Sequence, residues 1–321
     1  MTGEPNGAAP GVAPRDLAAR PEPHAPSSVV QPSSSVVRAP SSVVQPSSSD
    51  VRASSSPERR PSILVAASFD APSLVALRRA HEIALRLGGR LHIVHVIPRA
   101  NAADQQATAL RIVDRASRAL AEPVTEADVA VRVGNTIAEI WREAHRLSCD
   151  LLVLGGAACG RVPSWRARFL AQHARCPVLL ASEPHASGVV AATDLRDRRL
   201  PVIRWAARFA LRVGVPLEVV HNARRRTPDA LAAMVDGLSR DVADVVEPEP
   251  PSAGGDAAPS SQTHIRVGTE EAPAQAILAA AREIDADVVV VGARETSGRT
   301  MRDLTQRARR SVLSVPLGRR R

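Results

Sequence analysis

Three cysteines are the most reactive side chains of this chain, and their spacing limits the chemistry they can support. Cys149, Cys159 and Cys176 contain no CxxC pair and are too few for a disulfide framework. This cysteine usage is typical of a protein in a reducing cytosol. We therefore expect free thiols that have no catalytic or metal-binding role.

The histidines give no catalytic pattern either. His92 and His95 lie three residues apart on a predicted strand, so their side chains point to opposite faces and cannot share a metal ion. His95 and His221 end equivalent strands, and we interpret both as structural, with contact to a ligand as the alternative. The sequence contains no Ser-His-Asp order and no HExxH, GxGxxG or Walker motif. We predict no catalytic residue, no metal site and no enzyme activity.

Arginine supplies every basic side chain of the chain, because the sequence contains no lysine. The 42 basic residues outnumber the 33 acidic ones, for a net charge of +9, but they are scattered and the aromatic content is 2%. These features favour a solvated surface over nucleic-acid binding. The sequence has no signal peptide and no apolar run of about 18 residues, so we predict a soluble, cytoplasmic protein without membrane contact.

Much of the chain occurs twice. Asp150–Gly155 (DLLVLG) returns as Asp287–Gly292 (DVVVVG), and Ile63–Ser68 returns as Val189–Asp194. The length of 321 residues also fits two domains. We therefore predict two copies of one fold, and the two copies can be compared position by position.

A different composition marks the N-terminal stretch, residues 1–60, which is rich in Pro, Ser and Ala. Residues 27–40 (SSVVQPSSSVVRAP) are nearly repeated by residues 41–54 (SSVVQPSSSDVRAS). Such a stretch cannot bury enough apolar surface to offset its ordering entropy, so we predict a disordered tail. We interpret it as an inert tether, with a weak docking motif at the Val pairs as the alternative.

From Pro61 onward, short apolar strands alternate with amphipathic helices. Continuous apolar runs such as Leu151–Leu154 and Val288–Val291 indicate strands buried on both faces, hence a parallel sheet. Domain 1, residues 61–184, is predicted to have strands near 62–67, 91–96, 129–133, 150–154 and 177–181, and helices near 72–87, 102–121, 136–147 and 165–174. Domain 2, residues 188–318, is predicted to have strands near 188–193, 217–221, 263–267, 287–291 and 311–315, helices near 199–213, 227–244, 273–284 and 299–309, and a mobile loop at 247–262. Each copy is therefore a doubly wound α/β domain with a five-stranded parallel sheet and helices on both faces.

The ordered set of motifs, present twice, resembles the universal stress protein family from Ser62 to Leu317. Its carriers are a first strand ending in an acid, a second strand ending in His-Val, V-x-x-G before an A-x-x-I helix, the D-L-L-V-L-G strand and a Cys-Pro-Val-Leu strand. They are found at Val189–Asp194, His95-Val96, Val131–Ile140 (where one residue instead of two separates Ala138 from Ile140), Asp150–Gly155 and Cys176–Leu179. The resemblance implies a sheet order of 3-2-1-4-5 and two domains that pack like a family dimer, often through their fifth strands. This favours a monomeric chain that forms an internal pseudo-dimer.

The implied strand order reverses between strands 1 and 4, and open α/β sheets bind ligands beyond the carboxyl ends of the strands at such a point. In ATP-binding members of the family, the loop after strand 4 reads G-x2-G-x9-G-S/T, and its glycines let backbone N–H groups approach phosphate. The resemblance therefore implies nucleotide-binding candidates at Gly155 and Ser164 in domain 1 and at Asp194, Gly292 and Gly298 in domain 2.

Both copies depart from that loop pattern. Ala158 stands at the second glycine position in domain 1, and Glu295 stands there in domain 2. A carboxylate at this position would repel phosphate by about 1–4 kcal/mol at contact. The closing pairs, Ser164-Trp165 and Gly298-Arg299, also follow after fewer residues than the pattern requires. We predict that neither loop can enclose a triphosphate.

For Asp194 and for three arginines, the sequence allows two different roles. Asp194 either contacts a ribose or a metal, as the resemblance implies, or caps the helix that follows it. Arg294, Arg299 and Arg302 either bind phosphate through their guanidinium groups or are exposed helix side chains.

The sequence thus favours a non-catalytic universal-stress-type protein that acts in stress adaptation through contacts with a protein partner and uses no cofactor. The alternative is a stress switch that binds ATP or another adenine nucleotide in the domain 2 crevice, at Asp194, Gly292 and Gly298.

Overall fold

The structure, a computed structural model, describes residues 37–38, 59–99, 101–125, 128–156, 163–183, 188–195, 197, 200–223, 228–246, 263–268, 272–293 and 298–317. The loop predicted to be mobile, 247–262, lies outside these residues, as does most of the predicted tail. Within the tail the structure describes a two-residue strand, β1 (Val37–Arg38).

Two similar sets of alternating strands and helices follow. The first half contains β2 (Ser62–Ala66), α1 (Ala71–Arg86), β3 (Arg90–Ile97), α2 (Ala102–Leu120), β4 (Val129–Val133), α3 (Thr136–Arg146), β5 (Leu151–Gly155), α4 (Trp165–His173) and β6 (Val178–Ala181). The second half contains β7 (Val189–Thr193), α5 (Pro201–Val213), β8 (Leu217–Asn222), α6 (Pro228–Val246), β9 (Thr263–Gly268), α7 (Pro273–Glu283), β10 (Val288–Ala293), α8 (Gly298–Arg307) and β11 (Ser311–Pro316). The predicted helices and strands are confirmed, with bounds that differ by about two residues at most.

Local capping explains where several helices begin. Asn101 and Asp104 form a capping box at the start of α2, where the Asn101 side chain accepts a hydrogen bond from the Asp104 N–H at 2.8 Å. Asn135 caps α3 by accepting hydrogen bonds from two backbone N–H groups. Among the residues that the structure describes, no helix has the length and apolar character needed to cross a bilayer.

All strands form one sheet, in the order β1-β9-β8-β7-β10-β11-β6-β5-β2-β3-β4. Within each half the neighbours are parallel and follow the predicted order 3-2-1-4-5. The halves join where the fifth strands β6 and β11 pair antiparallel, with Leu180 opposite Val312 and Val178 opposite Ser314. The strand β1, which the sequence did not predict, lies antiparallel along the outer edge of β9 and covers backbone groups that would otherwise be open to other chains.

This joining produces an apolar cluster that extends through both halves on one face of the sheet. It includes Leu77 of α1, Leu179 of β6, Ile203 of α5 and Leu313 of β11, each at most 2% exposed. The other face is covered by two separate clusters, one for each half. The helices α1 and α5 therefore share one core, although they belong to different copies of the repeat.

A buried ion pair also connects the halves. Arg79, on α1, is 5% exposed and forms salt bridges with Glu82 at 2.7 Å and with Asp287, which directly precedes β10 of the second half. The neighbouring Arg86 also contacts Glu82 at 2.7 Å, but its side chain is 47% exposed. The same helix thus carries one buried and one exposed arginine that share a carboxylate.

We predict that Arg79→Met lowers the free energy of unfolding by about 3 kcal/mol, because it removes a buried guanidinium that pairs with two carboxylates and connects the halves. Arg86→Met is the matched control and should cost less than about 1 kcal/mol, as expected for an exposed pair. Urea unfolding of the three proteins measures both values. Equal losses in the two variants would contradict a special role for the contact between the halves.

Candidate functional site

Each half has a crevice at the point where its strand order reverses. The first-half crevice lies between the carboxyl ends of β2 and β5, and the second-half crevice lies between those of β7 and β10. Ligands of open α/β sheets bind at such points. The two crevices are formed by matching segments of the sequence. Differences between their residues therefore indicate which ligands each crevice can bind.

Helix α1 closes the first-half crevice. Asp70 caps this helix directly after β2 by accepting a hydrogen bond from the Ser73 N–H at 3.0 Å. Pro72 in the first turn then lies against Gly155, where an added Cβ would be 3.0 Å from the Pro72 carbonyl group. Phe69 is 6% exposed, in a left-handed conformation (φ 60°), and the Arg115 guanidinium lies 4.9 Å from its ring centroid. The first turn of α1 therefore lies directly against the end of β5, while Phe69 packs beside α2.

The second-half crevice is open because its helix begins later. Counted from the matched strand residues Ile63 and Val189, Asp197 takes the place of Ala71, the first residue of α1. Helix α5 begins only at Pro201, about one turn further along the chain. Leu200, which precedes it, is left-handed (φ 46°) and makes no side-chain capping bond. A cavity of about 340 Å³ lies beside the start of α5.

The cavity has apolar walls and a few polar groups. Its polar side chains are Thr193, Asp194, Asp197, Asn222 and Thr300. The apolar part of the wall comes from both sheet and helices, at Ala192, Leu200, Pro201, Val202, Val220, Pro273, Ile277, Val291, Met301 and Leu317. Of the described residues that line the cavity, none is basic. The described part of this lining suits a ligand with an apolar ring and hydrogen-bond donors.

Gly292 lies at the base of the cavity, where β10 ends. An added Cβ there would be 2.7 Å from the Leu317 side chain, which follows β11. The close neighbour of Gly292 is thus the movable end of a side chain, whereas the close neighbour of Gly155 is helix backbone. The two glycines occupy matching positions, and Gly292 lines the cavity of the second half.

The structure places the other predicted site residues as follows. Asp194 lines the cavity and is exposed, and it does not cap α5, because that helix begins at Pro201. The capping interpretation of Asp194 is therefore wrong. Ser164 caps α4 by accepting a hydrogen bond from the Ala167 N–H at 3.2 Å. Gly298 begins α8, whose third residue Thr300 lines the cavity.

The arginine and loop predictions are only partly covered by the described residues. Arg299 and Arg302 are exposed on α8, and neither lines the cavity. Arg294, Glu295, Ala158 and Cys159 lie outside the described residues. The proposed shortening of the two loops therefore stays a prediction.

His95 and His221 have the same structural role in the two halves. The Nδ1 atom of His95 lies 2.6 Å from the Ala67 carbonyl oxygen, and that of His221 lies 2.8 Å from the Thr193 carbonyl oxygen. Since a carbonyl can only accept, Nδ1 carries the proton in both rings. Each histidine thus ties the end of the second strand to the end of the first. Within the described residues, no group of three or more His, Cys, Asp or Glu side chains could hold a metal ion.

Sequence reasoning missed several cavity residues. Asn222 directly follows His221 at the end of β8, so its position beside the crevice could have been inferred from the strand order. Asp197 and Leu317 gave no such signal, because their positions depend on where α5 begins and where the chain turns after β11.

Comparison with known proteins places this fold among universal stress proteins. The family model described as the Universal stress protein family matches residues 60–182 and 187–315. A universal stress protein from Archaeoglobus fulgidus DSM 4304 is 15% identical, with 80% of this chain and 98% of that chain covered and a TM-score of 0.55. A protein from Pseudomonas aeruginosa UCBPP-PA14, described as a universal stress protein, is 20% identical, with coverages of 80% and 93% and a TM-score of 0.54. The curated protein sequences give no match.

We predict that Gly155→Ala destabilises the protein by about 1–3 kcal/mol, since its methyl group would press on the backbone of α1. Gly292→Ala should cost less than about 1 kcal/mol, because Leu317 can move and alanine reduces the entropy of the unfolded chain. Denaturant unfolding compares the two variants. A larger loss of stability in Gly292→Ala than in Gly155→Ala would contradict the tighter packing around Gly155.

Proposed function

Because the chain belongs in both of its halves to the universal stress protein family, we propose that it is a non-catalytic stress protein with one small-molecule site in its second-half crevice. The site would bind an adenosine-type ligand, a nucleoside or nucleoside monophosphate. The observation that supports this proposal is the cavity of about 340 Å³ between Asp194 and Gly292, at the point where α1 fills the first half. Ligand pockets in proteins begin at about this size, roughly 300 Å³.

The lining supports a nucleoside over a triphosphate. The apolar side chains, among them Val202, Ile277 and Met301, can pack against a purine ring. The carboxylates of Asp194 and Asp197 can accept hydrogen bonds from ribose hydroxyls or from an exocyclic amine. The same carboxylates would repel a phosphate chain by about 1–4 kcal/mol at contact.

Isothermal titration with adenosine, AMP and ATP tests this proposal. We expect adenosine to bind with a dissociation constant on the order of tens of micromolar, as is reasonable for a ligand of this size. ATP should bind at least about tenfold more weakly, because its phosphates meet the two carboxylates. If none of the three compounds binds, the ligand site is wrong.

The variant Asp194→Ala should weaken adenosine binding about tenfold, because a charged hydrogen bond is lost. It should also reduce the difference in affinity between adenosine and ATP. Ser68→Ala is the matched control, because Ser68 is exposed at the same position of the closed first half. It should leave all three affinities unchanged. Equal effects of the two variants would contradict the assignment of the site to the second half.

The second candidate function is stress adaptation through protein contacts alone. It is favoured by exposed aromatic side chains on the first half, where Trp165 of α4 is 59% exposed and Phe169 is 36% exposed. The matching positions on α8 carry Arg299 and Asp303. With Arg166 lying 5.5 Å from the Trp165 ring centroid, this face fits a partner with an apolar patch bordered by acidic side chains. A titration in which no adenine compound binds would favour this second function over the first.

A further inference from the structure

Two cysteines that are far apart in sequence meet at one end of the first-half sheet. Cys149 lies just before β5 and Cys176 just before β6, and their sulfur atoms are 3.2 Å apart. Both are free thiols, with Cys149 buried (7% exposed) and Cys176 partly exposed. The pair contributes nothing to either crevice and is not explained by the proposed ligand site.

Strand pairing fixes the approach of the two thiols. The strands β5 and β6 are parallel neighbours, and the Leu152 N–H donates to the Pro177 carbonyl at 2.9 Å beside the pair. The register of this pair puts Asp150 opposite Cys176, so Cys149 is one residue from the directly opposite position, and its sulfur still lies 3.2 Å from that of Cys176. Forming a bond between the sulfurs therefore needs only a small adjustment of the side chains.

The second half supports this geometry independently. Ala286 and Arg310 occupy the matching positions before β10 and β11, and the Arg310 guanidinium donates to the Ala286 carbonyl and, at 2.8 Å, to Asp285. The two positions are thus in contact in both copies of the fold. In the second half the contact is a hydrogen bond, whereas in the first half it joins two thiols.

The pair also has distinct roles for its two sulfurs. The Cys149 thiol donates a hydrogen bond to the Cys176 sulfur, which lowers the pKa of Cys176. The same hydrogen bond, together with burial, raises the pKa of Cys149. Cys176 is therefore the sulfur that carries negative charge more readily, and it is also the more accessible one, as expected of an attacking thiol.

We propose that Cys149 and Cys176 form a site of reversible oxidation, in which hydrogen peroxide converts the two thiols into a disulfide. The Cys176 sulfur attacks peroxide and breaks its O–O bond, which gives a sulfenic acid and one water. The Cys149 sulfur then attacks the sulfenic sulfur and breaks the S–O bond, and its proton leaves with the hydroxyl group as a second water. Two thiols and one peroxide thus give one disulfide and two waters, and a dithiol reductant reverses the change.

The test uses the full chain with Cys159→Ser, so that two thiols remain. The folded protein is treated with an equimolar amount of hydrogen peroxide, quenched with iodoacetamide under denaturing conditions and weighed by mass spectrometry. We expect a species two hydrogens lighter that takes up no iodoacetamide, in which the peptide with Cys149 is joined to the peptide with Cys176. Dithiothreitol should restore two alkylatable thiols.

Two further variants separate the roles of the sulfurs. With Cys149→Ser, Cys176 should stop at the sulfenic acid and be trapped by dimedone, while with Cys176→Ser, Cys149 should remain a free thiol. The same treatment of guanidine-unfolded chain should give much less of the disulfide, because the fold no longer holds the sulfurs together. Retention of both thiols in the folded chain, or joining between chains instead of within one, would overturn the proposal.

Discussion

The antiparallel pairing of β6 with β11 is the interaction on which the rest of the structure depends. It converts two five-stranded sheets into one and removes the edge that each fifth strand would otherwise expose. Side-chain hydrogen bonds reinforce it, because the Ser314 hydroxyl donates to the Ala171 carbonyl at 2.5 Å and the Ser311 hydroxyl accepts from the Ser182 N–H at 3.2 Å. With α1 and α5 on one face, the two copies share a core and a buried ion pair, so neither half can shift without disturbing the other.

The two halves have the same backbone fold but differ in the side chains at matching positions. Each third strand carries one arginine held by a buried glutamate, Arg132 by Glu143 of α3 and Arg266 by Glu218 of β8. Burial would raise the pKa of Glu143, but hydrogen bonds from Arg146 and Arg132 outweigh it and keep that pKa below its ordinary value. Both halves thus pair the arginine of the third strand with buried glutamate, but Arg266 also forms a salt bridge with Glu283 of α7, so its partners come from a strand and from a helix.

The same division separates the possible functions. The first half has its crevice filled by α1 and carries the thiol pair and the exposed aromatic side chains, whereas the second half has the cavity with its two carboxylates. The two halves can differ in this way because each has a complete fold of its own. The core that they share does not require both crevices to stay open. The proposed ligand site and the thiol pair are therefore located at different ends of the sheet and in different halves.

The sequence by itself determined the helices and the strands, whereas the strand order and the joining of the halves followed from its resemblance to the universal stress protein family. Strands such as Leu151–Gly155 and Val288–Ala293 are continuous apolar runs, and their periodicity and spacing are local properties that neighbouring residues cannot easily override. With the strand order that the resemblance implies, it also placed Asp194 and Gly292 beside the same crevice, because Asp194 directly follows β7 and Gly292 lies next to the last residue of β10.

Only the tertiary structure decided which crevice is open and which thiols meet. The opening depends on whether the chain after the first strand enters its helix at once, as it does at Asp70, or about one turn later, at Pro201. The early helix brings Pro72 against Gly155 of the fourth strand, and such contacts between distant segments leave no periodic signal in the sequence. The contact of Cys149 with Cys176 has the same origin, since it arises from the pairing of β5 with β6 and from no spacing within the chain.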